Sequence, residues 1–322
     1  MIKKAYIINS LKIIILIVCI AIIAYYFKRY YSELQNLTFK LNYFSLLFGF
    51  IVLCLFNFFL NLIWYIISVF TGCKIKFKYS AIINGYANLI KYIPGKVLSY
   101  AFIYHYYSQH KVSKKNLAVA FYIDGINNIV IPGLVFIISL LFVNNKTING
   151  FKIYAVILLA CSIIMLHPKI LIPIFNLLLK LLKKPVLSIE INYKKIIIIV
   201  LISTVNWFIY CMAFFLLVNS VYNIPLEDFF QLSIVVSASS ILGFIVFFMP
   251  SGLGAREVSF IYLLSLFLPE AISLVIAVLS RLWMIIGDFF YFLIVLLFDY
   301  ILKTNILKTA FQFKRQNSAI KK

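Results

Sequence analysis

Apolar runs too long for any soluble core recur along almost the whole chain, and they decide what it can fold into. Ile13–Phe27 and Phe229–Met249 are two of them. A transmembrane helix needs roughly 20 mostly apolar residues. Eight apolar segments can be read off, at about 5–27, 43–70, 79–107, 117–143, 151–166, 196–218, 229–249 and 258–298. In hydrocarbon only helices and closed barrels satisfy their own backbone, and a barrel would show alternating segments of about ten residues, which these are not. Composition agrees: of 322 residues 64% are hydrophobic, 18% aromatic and 12% charged, with a mean hydropathy of +1.05, against roughly 25% charged in soluble domains. The expected fold is an all-α polytopic integral membrane protein, a single transmembrane domain over residues 1–322.

The net charge of +21 would suggest nucleic acid in a soluble protein. Here the lysines sit between apolar segments and at the two ends, as they do where a membrane protein marks its cytoplasmic side and touches anionic headgroups. No basic segment carries the interleaved aromatics of a nucleic-acid module, so nucleic acid is not an expected partner. Cys19, Cys54, Cys73, Cys161 and Cys211 contain no C-x-x-C pair. They read as small apolar residues rather than disulfides or metal ligands, and neither a metal nor another cofactor is expected. Lys3, Lys4 and the run after them resemble a signal peptide, but no small-x-small cleavage site follows and the run continues into Tyr25, Tyr26 and Phe27. A retained first span is expected. Val18, before Cys19, is also too large for a lipoprotein site.

Two segments are interrupted. Lys91-Tyr92-Ile93-Pro94-Gly95-Lys96 cuts the third, and Met249-Pro250-Ser251-Gly252-Leu253-Gly254-Ala255-Arg256-Glu257 separates the seventh from a short run over 258–268. Pro removes a backbone donor and Gly permits unusual dihedrals, so both helices should break there. Pro94 and Pro250 are 156 residues apart, close to half the chain. A segment with Asn57 and Asn61 precedes the first break and one with Asn206 the second. Asp124 and Arg281 follow the breaks by about 30 residues each. Residues 43–143 and 196–298 therefore read as two halves, and Gly/Pro-interrupted segments at matching positions point to a transporter's binding site.

Lysine counting orients the chain. Lys3 and Lys4, loop 167–195 and the basic tail 299–322 belong inside, which puts both termini in the cytoplasm, and loop 219–228, with Glu227 and Asp228 and no Lys or Arg, belongs outside. These assignments fit about six full spans in a cell membrane plus two broken or re-entrant hairpins that enter from opposite faces, an inverted repeat.

Charged residues at membrane depth default to functional-site candidates, since each costs at least ~2.5 kcal/mol at a helix centre on the insertion scale. They are Lys91, Lys96, Asp124, Arg256, Glu257, Arg281 and Asp288. Asp124 and Asn128, four apart, share one helix face. Arg281 and Asp288, seven apart, also share a face but cannot bond each other, so each needs a partner on another helix. A buried cation, Lys96 or Arg281, is the expected partner of Asp124. Interhelical ion pairs that merely hold a bundle together are the plainer reading of all of these. At both breaks a Gly-containing turn precedes a cation at a helix start, Lys96 and Arg256, where the helix dipole disfavours it. A bound anion resolves that conflict, and lipid phosphate is the abundant anion at this depth. Snorkelling of Lys96 and Arg256 to the interface is the alternative, and Glu257 fits dipole stabilisation alone. No H-E-x-x-H, G-x-S-x-G or Walker loop is present, and no enzyme is expected.

The elements IPGKV (Ile93–Val97) and MPSGLGAREVSFIYLL (Met249–Leu264), followed by Arg281, resemble the lysylphosphatidylglycerol synthase transmembrane family, also called flippase-like, over roughly residues 10–300. The resemblance implies a polytopic lipid flippase region. No aminoacyl-transferring domain is expected after it, so lysyl-lipid does not carry over as the substrate. The expected function is translocation of a polar, phosphate-containing lipid headgroup. Lys96, Asp124, Asn128, Arg256, Glu257, Arg281 and Asp288 would line its path, with Pro94, Gly95, Pro250, Gly252 and Gly254 as the helix breaks. The expected partners are membrane lipids with anionic or phosphate headgroups, together with a second copy of the chain or an enzyme of a lipid pathway. Two rivals remain open, an intramembrane enzyme acting on a lipid-linked phosphate or sugar and a non-catalytic membrane subunit.

Overall fold

The computed structural model describes residues 28, 41–92, 97–143, 192–245, 254–304 and 306, together with 152, 153, 156, 157, 173, 176, 177 and 180. The apolar segment 5–27, most of segment 151–166 and of loop 167–195, and the tail beyond 306 lie outside them. The described residues form helices and no strand. These are α1 (Tyr43–Phe70), α2 (Phe77–Ile90), α3 (Val97–Gln109), α4 (Lys114–Phe142), α5 (Tyr193–Val221), α6 (Phe229–Ile245), α7 (Ala255–Leu264) and α8 (Glu270–Ile301). A 3₁₀ turn, Leu226–Asp228, leads into α6. Five stretches among the described residues are long and apolar enough to cross a membrane: α1, α4, α5, Leu226–Phe244 and α8. The chain is therefore an all-helical polytopic membrane protein.

Local signals set the helix ends. Asn42 caps α1 by accepting from the Ser45 amide at 3.1 Å, and Asn192 caps α5 by accepting from the Lys194 amide at 3.1 Å. The segment at 258–298 is divided, because α7 stops at Leu264 and α8 starts after Pro269. Proline's fixed φ and missing N–H suit a helix start and not an interior. Pro132 is the exception, since α4 runs through it. It leaves the Asn128 carbonyl without the amide it would otherwise accept from.

α1 and α5 run antiparallel to each other. The Asn42 amide, before α1, donates to the Ser220 carbonyl near the end of α5 at 2.9 Å. At the opposite end the Lys195 ammonium lies 5.4 Å from the centre of the Phe70 ring. α2 and α3 form a hairpin whose two outer ends meet. The Tyr79 and His110 rings lie 4.8 Å apart, and the Asn116 amide at the start of α4 donates to the Gly72 carbonyl after α1 at 3.2 Å. α6 and α7 do likewise, with Ile224, Leu232, Leu264, Leu268 and Ile272 buried in one cluster.

The hairpins pack crosswise, α2 on α8 and α6 on α4. Exchanging α1 with α5, α2 with α6, α3 with α7 and α4 with α8 maps every one of the main helix pairs onto another main pair or onto itself. Glycines permit the closest approaches, as small residues do between helices in lipid. A Cβ at Gly85 would meet Val295 Cγ2 at 2.5 Å, and one at Gly287 would meet Leu53 Cδ2 at 2.5 Å. Both seat α8, against α2 and α1.

Lys76, Lys114, Glu227 and Glu270 are exposed at the hairpin mouths, which makes the topology testable. In a cysteine-free background, single cysteines at 76 and 114 should react with a membrane-impermeant maleimide from the cytoplasmic face, and those at 227 and 270 from the outer face. Labelling of 76 and 114 from opposite faces would mean that 77–109 crosses fully.

Candidate functional site

The two hairpins end against a shared cavity of about 330 Å³, at the small end of the ~300–1,000 Å³ range of ligand sites. Every helix contributes to its wall: α1 Asn57 and Trp64, α2 Asn84 and Asn88, α3 Ser99 and Tyr100, α4 Asp124 and Asn128, α5 Trp207 and Tyr210, α6 Ser240 and Gly243, α7 Arg256, and α8 Met284 and Asp288, with Lys91 just past α2. Asp124, Asn128, Arg256 and Asp288 are thus brought together from both halves. Glu257 and Arg281 do not line the cavity. Lys96, Pro94, Gly95, Pro250 and Gly252 lie outside the described residues; α2 ends at Ile90, just before the first expected break.

α7 is capped by Gly254, whose φ of +87° favours glycine. Its amide donates to Glu257 Oε2 at 2.6 Å, and Glu257 Oε1 lies 3.5 Å from Arg281 Nε on α8. Glu257 therefore has two tasks, and both turn it away from the cavity. Consecutive helix residues face directions about 100° apart, so Arg256 points elsewhere. Its Nη2 donates to the Tyr210 hydroxyl, and the guanidinium lies 5.8 Å from the Tyr210 ring centre and 5.2 Å from that of Phe260, both within cation–π range. Seven of the nine acidic residues in the chain are described. None of them pairs with Arg256, the ion pairs at this depth being Lys91–Asp288 and Glu257–Arg281.

Asp288 holds the first hairpin to α8. Its Oδ2 lies 2.8 Å from Lys91 Nζ and accepts from the Tyr92 hydroxyl at 2.5 Å. The Tyr92 ring in turn lies 5.8 Å from the Arg281 guanidinium. α8 thus carries one charge for each hairpin, Asp288 for the first and Arg281 for the second. Of the two cations expected to partner Asp124, Lys96 lies outside the described residues and Arg281 does not pair with it. Among the described residues Asp124 Oδ2 accepts from the Tyr100 hydroxyl and from the Asn128 amide, each at 3.3 Å, while Arg281 goes to Glu257. Asn128 also donates to the Asp124 carbonyl at 2.8 Å, so the shared face expected of these two residues becomes a local hydrogen bond.

Tyr92, Tyr100 and Tyr210 were not singled out by the sequence. Among 22 tyrosines, spread through exposed and buried positions alike, nothing marks these three as the ones that meet Asp288, Asp124 and Arg256. Lys91 stood among the charges at depth, but only the packing of α2 on α8 makes it the partner of Asp288.

The model of one protein family, described as lysylphosphatidylglycerol synthase TM region, matches residues 9–291. No curated protein matches the chain.

Removing one partner of a buried ion pair costs about 3–5 kcal/mol, and less here because the Lys91 side chain is 29% exposed. Lys91→Ala and Asp288→Ala should each lower the unfolding midpoint in detergent. The double variant should lose less than the sum by about 0.5–3 kcal/mol. Strict additivity would show that the contact contributes nothing.

Proposed function

The chain belongs to the lysylphosphatidylglycerol synthase transmembrane family, and from that membership and the charges of the cavity we propose that it translocates a phosphate-bearing lipid headgroup across the bilayer. The family gives a function related to membrane lipids, and the observation that carries the finer reading is Arg256. It is a cation at a helix start in a cavity wall, in direct contact with Tyr210 and Phe260 and with no carboxylate paired to it among the described residues. Even a half-buried cation between membrane-spanning helices is costly without a counter-ion. A phosphate that accepts two parallel hydrogen bonds from the guanidinium removes that cost. A cavity of this size takes a headgroup and leaves the acyl chains in the surrounding lipid.

Residues 43–143 and 196–298 act in this proposal as inverted halves around the cavity, in a cell membrane with both termini inside. The antiparallel pairing of α1 with α5 and the reciprocal packing of α2 on α8 and α6 on α4 support it. In transporters built this way the site sits at the repeat interface, and access alternates by rocking of one unit against the other. Lys91–Asp288 and Glu257–Arg281 are then the contacts that hold the two hairpins to α8.

Reconstitution into liposomes with short-chain fluorescent phospholipids tests the proposal. The wild-type chain should move lipid between leaflets unchanged. An intramembrane enzyme would yield a new species, and a scaffold would do neither. Arg256→Ala should lower transport by roughly 10- to 100-fold, the weight of a lost hydrogen bond to a charged group, with abundance and insertion near normal. Arg256→Lys should restore it only in part, because an ammonium cannot offer two parallel donors. Degradation of Arg256→Ala in the membrane would mark Arg256 as structural instead.

A further inference from the structure

Four charged residues line the described cavity wall: Lys91, Asp124, Arg256 and Asp288. Two are positive and two negative, so the charges of the wall balance. Lys91 and Asp288 answer each other, with Nζ 2.8 Å from Oδ2 and the Tyr92 hydroxyl on the same oxygen. Among the described residues Arg256 pairs with no carboxylate and Asp124 with no cation. Asp124 is half-buried, and its Oδ2 is held by two neutral donors, the Tyr100 hydroxyl and the Asn128 amide, each at 3.3 Å.

A phosphate that meets Arg256 upsets the balance. It adds a negative charge to a small cavity between membrane-spanning helices, where an unmatched charge is costly, and two anions in one site oppose each other's ionisation. One proton restores neutrality, and the wall has one place for it. Asp288 is engaged by Lys91 and Tyr92, and both cations already carry their protons. Tyr100 on α3 and Tyr210 on α5 are neutral hydroxyls, and no titratable group lines the cavity from α1, α2 or α6 among the described residues. Asp124 is the remaining acceptor. Its protonated form stays satisfied, because the Tyr100 hydroxyl can turn from donating to accepting.

Resting on the reading of Arg256 as the phosphate site, we infer that Asp124 binds a proton together with the lipid, so that transport is an electroneutral symport of one proton with each singly charged headgroup. The coupling is reciprocal: phosphate on Arg256 draws a proton to Asp124, and a proton on Asp124 tightens the hold on phosphate. No bond of the lipid forms or breaks. The proton enters from water on one face of the membrane and leaves to water on the other, and a pH difference between the faces drives the lipid.

Liposomes that hold the full chain and a fluorescent short-chain phosphatidylglycerol test this, with the leaflet ratio read by an impermeant quencher against protein-free liposomes. With the membrane potential clamped at zero, a pH difference of one unit should shift the ratio about tenfold toward the alkaline side. A potential without a pH difference should shift nothing. Asp124→Asn keeps the shape and cannot carry the proton. It should lose the response to pH and gain one to potential, toward the positive side, a gain that misfolding cannot mimic. Carbodiimide, which attacks carboxyl groups in their protonated form, supplies a second readout on the wild type in detergent. Short-chain phosphatidylglycerol added at neutral pH should raise labelling of Asp124 severalfold, whereas simple shielding would lower it. If Asp124→Asn moves no lipid, this labelling decides. Wild-type transport that ignores the pH difference, an Asp124→Asn variant that still follows it, or labelling that does not rise would overturn the role of the proton and leave the phosphate site standing. A wild type that moves no lipid would overturn both.

Discussion

An ionised side chain in hydrocarbon costs at least ~2.5 kcal/mol on the insertion scale unless a partner or a water-filled cavity receives it. In this chain that cost is met at the two places where the helices are interrupted. Asp288 and Arg281 stand two turns apart on α8. Each takes an opposite charge from one hairpin, Lys91 from the first and Glu257 from the second. Tyr92 ties the two pairs together, with its hydroxyl on Asp288 and its ring near Arg281. The closeness of α8 that this needs comes from Gly85 and Gly287, where any larger residue would collide with Val295 or Leu53. With these charges neutralised, Arg256 has direct contacts with Tyr210 and Phe260 and an ion pair with no carboxylate among the described residues. It is therefore the group left to meet an anion.

The same arrangement separates what the two halves share from what they do not. Helix pairing is matched under exchange of the halves, from the antiparallel α1 and α5 to the crossed hairpins. The chemistry is not matched. α2 meets α8 through Lys91–Asp288 and through Tyr86, whose hydroxyl donates to Asp299 Oδ2 at 2.6 Å. At the mouth of the second hairpin, α6 meets α4 through stacked rings, Phe142 and Phe230, 4.7 Å apart. An ionic clasp on one hairpin and an aromatic contact on the other would respond differently to charge and to hydration, although the scaffold beneath them is the same.

Much of this was legible in the sequence, for a physical reason in each case. Long apolar runs have no other use than spanning lipid, so membership of the helical membrane class followed at once. The breaks at Pro94–Lys96 and Pro250–Gly252 lie outside the described residues, and the helix that follows the second starts at Ala255. A charge at depth must meet something, so Asp124, Arg256 and Asp288 could be named before their surroundings were known. Partners could not be named in the same way. Asp124 was expected to pair with Lys96 or Arg281; Lys96 lies outside the described residues, and Arg281 sits beside the start of α7, where Glu257 is already held by the Gly254 amide. That choice depends on the register of α7 against α8, which apolar periodicity does not encode. Nor could the neutral lining be read, because Tyr100 gains meaning only from the helix that places Asp124 beside it.

The central claim is that Arg256 holds a lipid phosphate inside the cavity between the two halves. An electron cryomicroscopy structure of the protein in phospholipid nanodiscs tests it most directly. Headgroup density within about 2.7–2.9 Å of the Arg256 guanidinium, the range of charge-assisted hydrogen bonds, is the expected result, with its acyl chains leaving toward lipid. A guanidinium paired with a carboxylate of the protein, or turned out to the membrane surface beside an empty cavity, would contradict it.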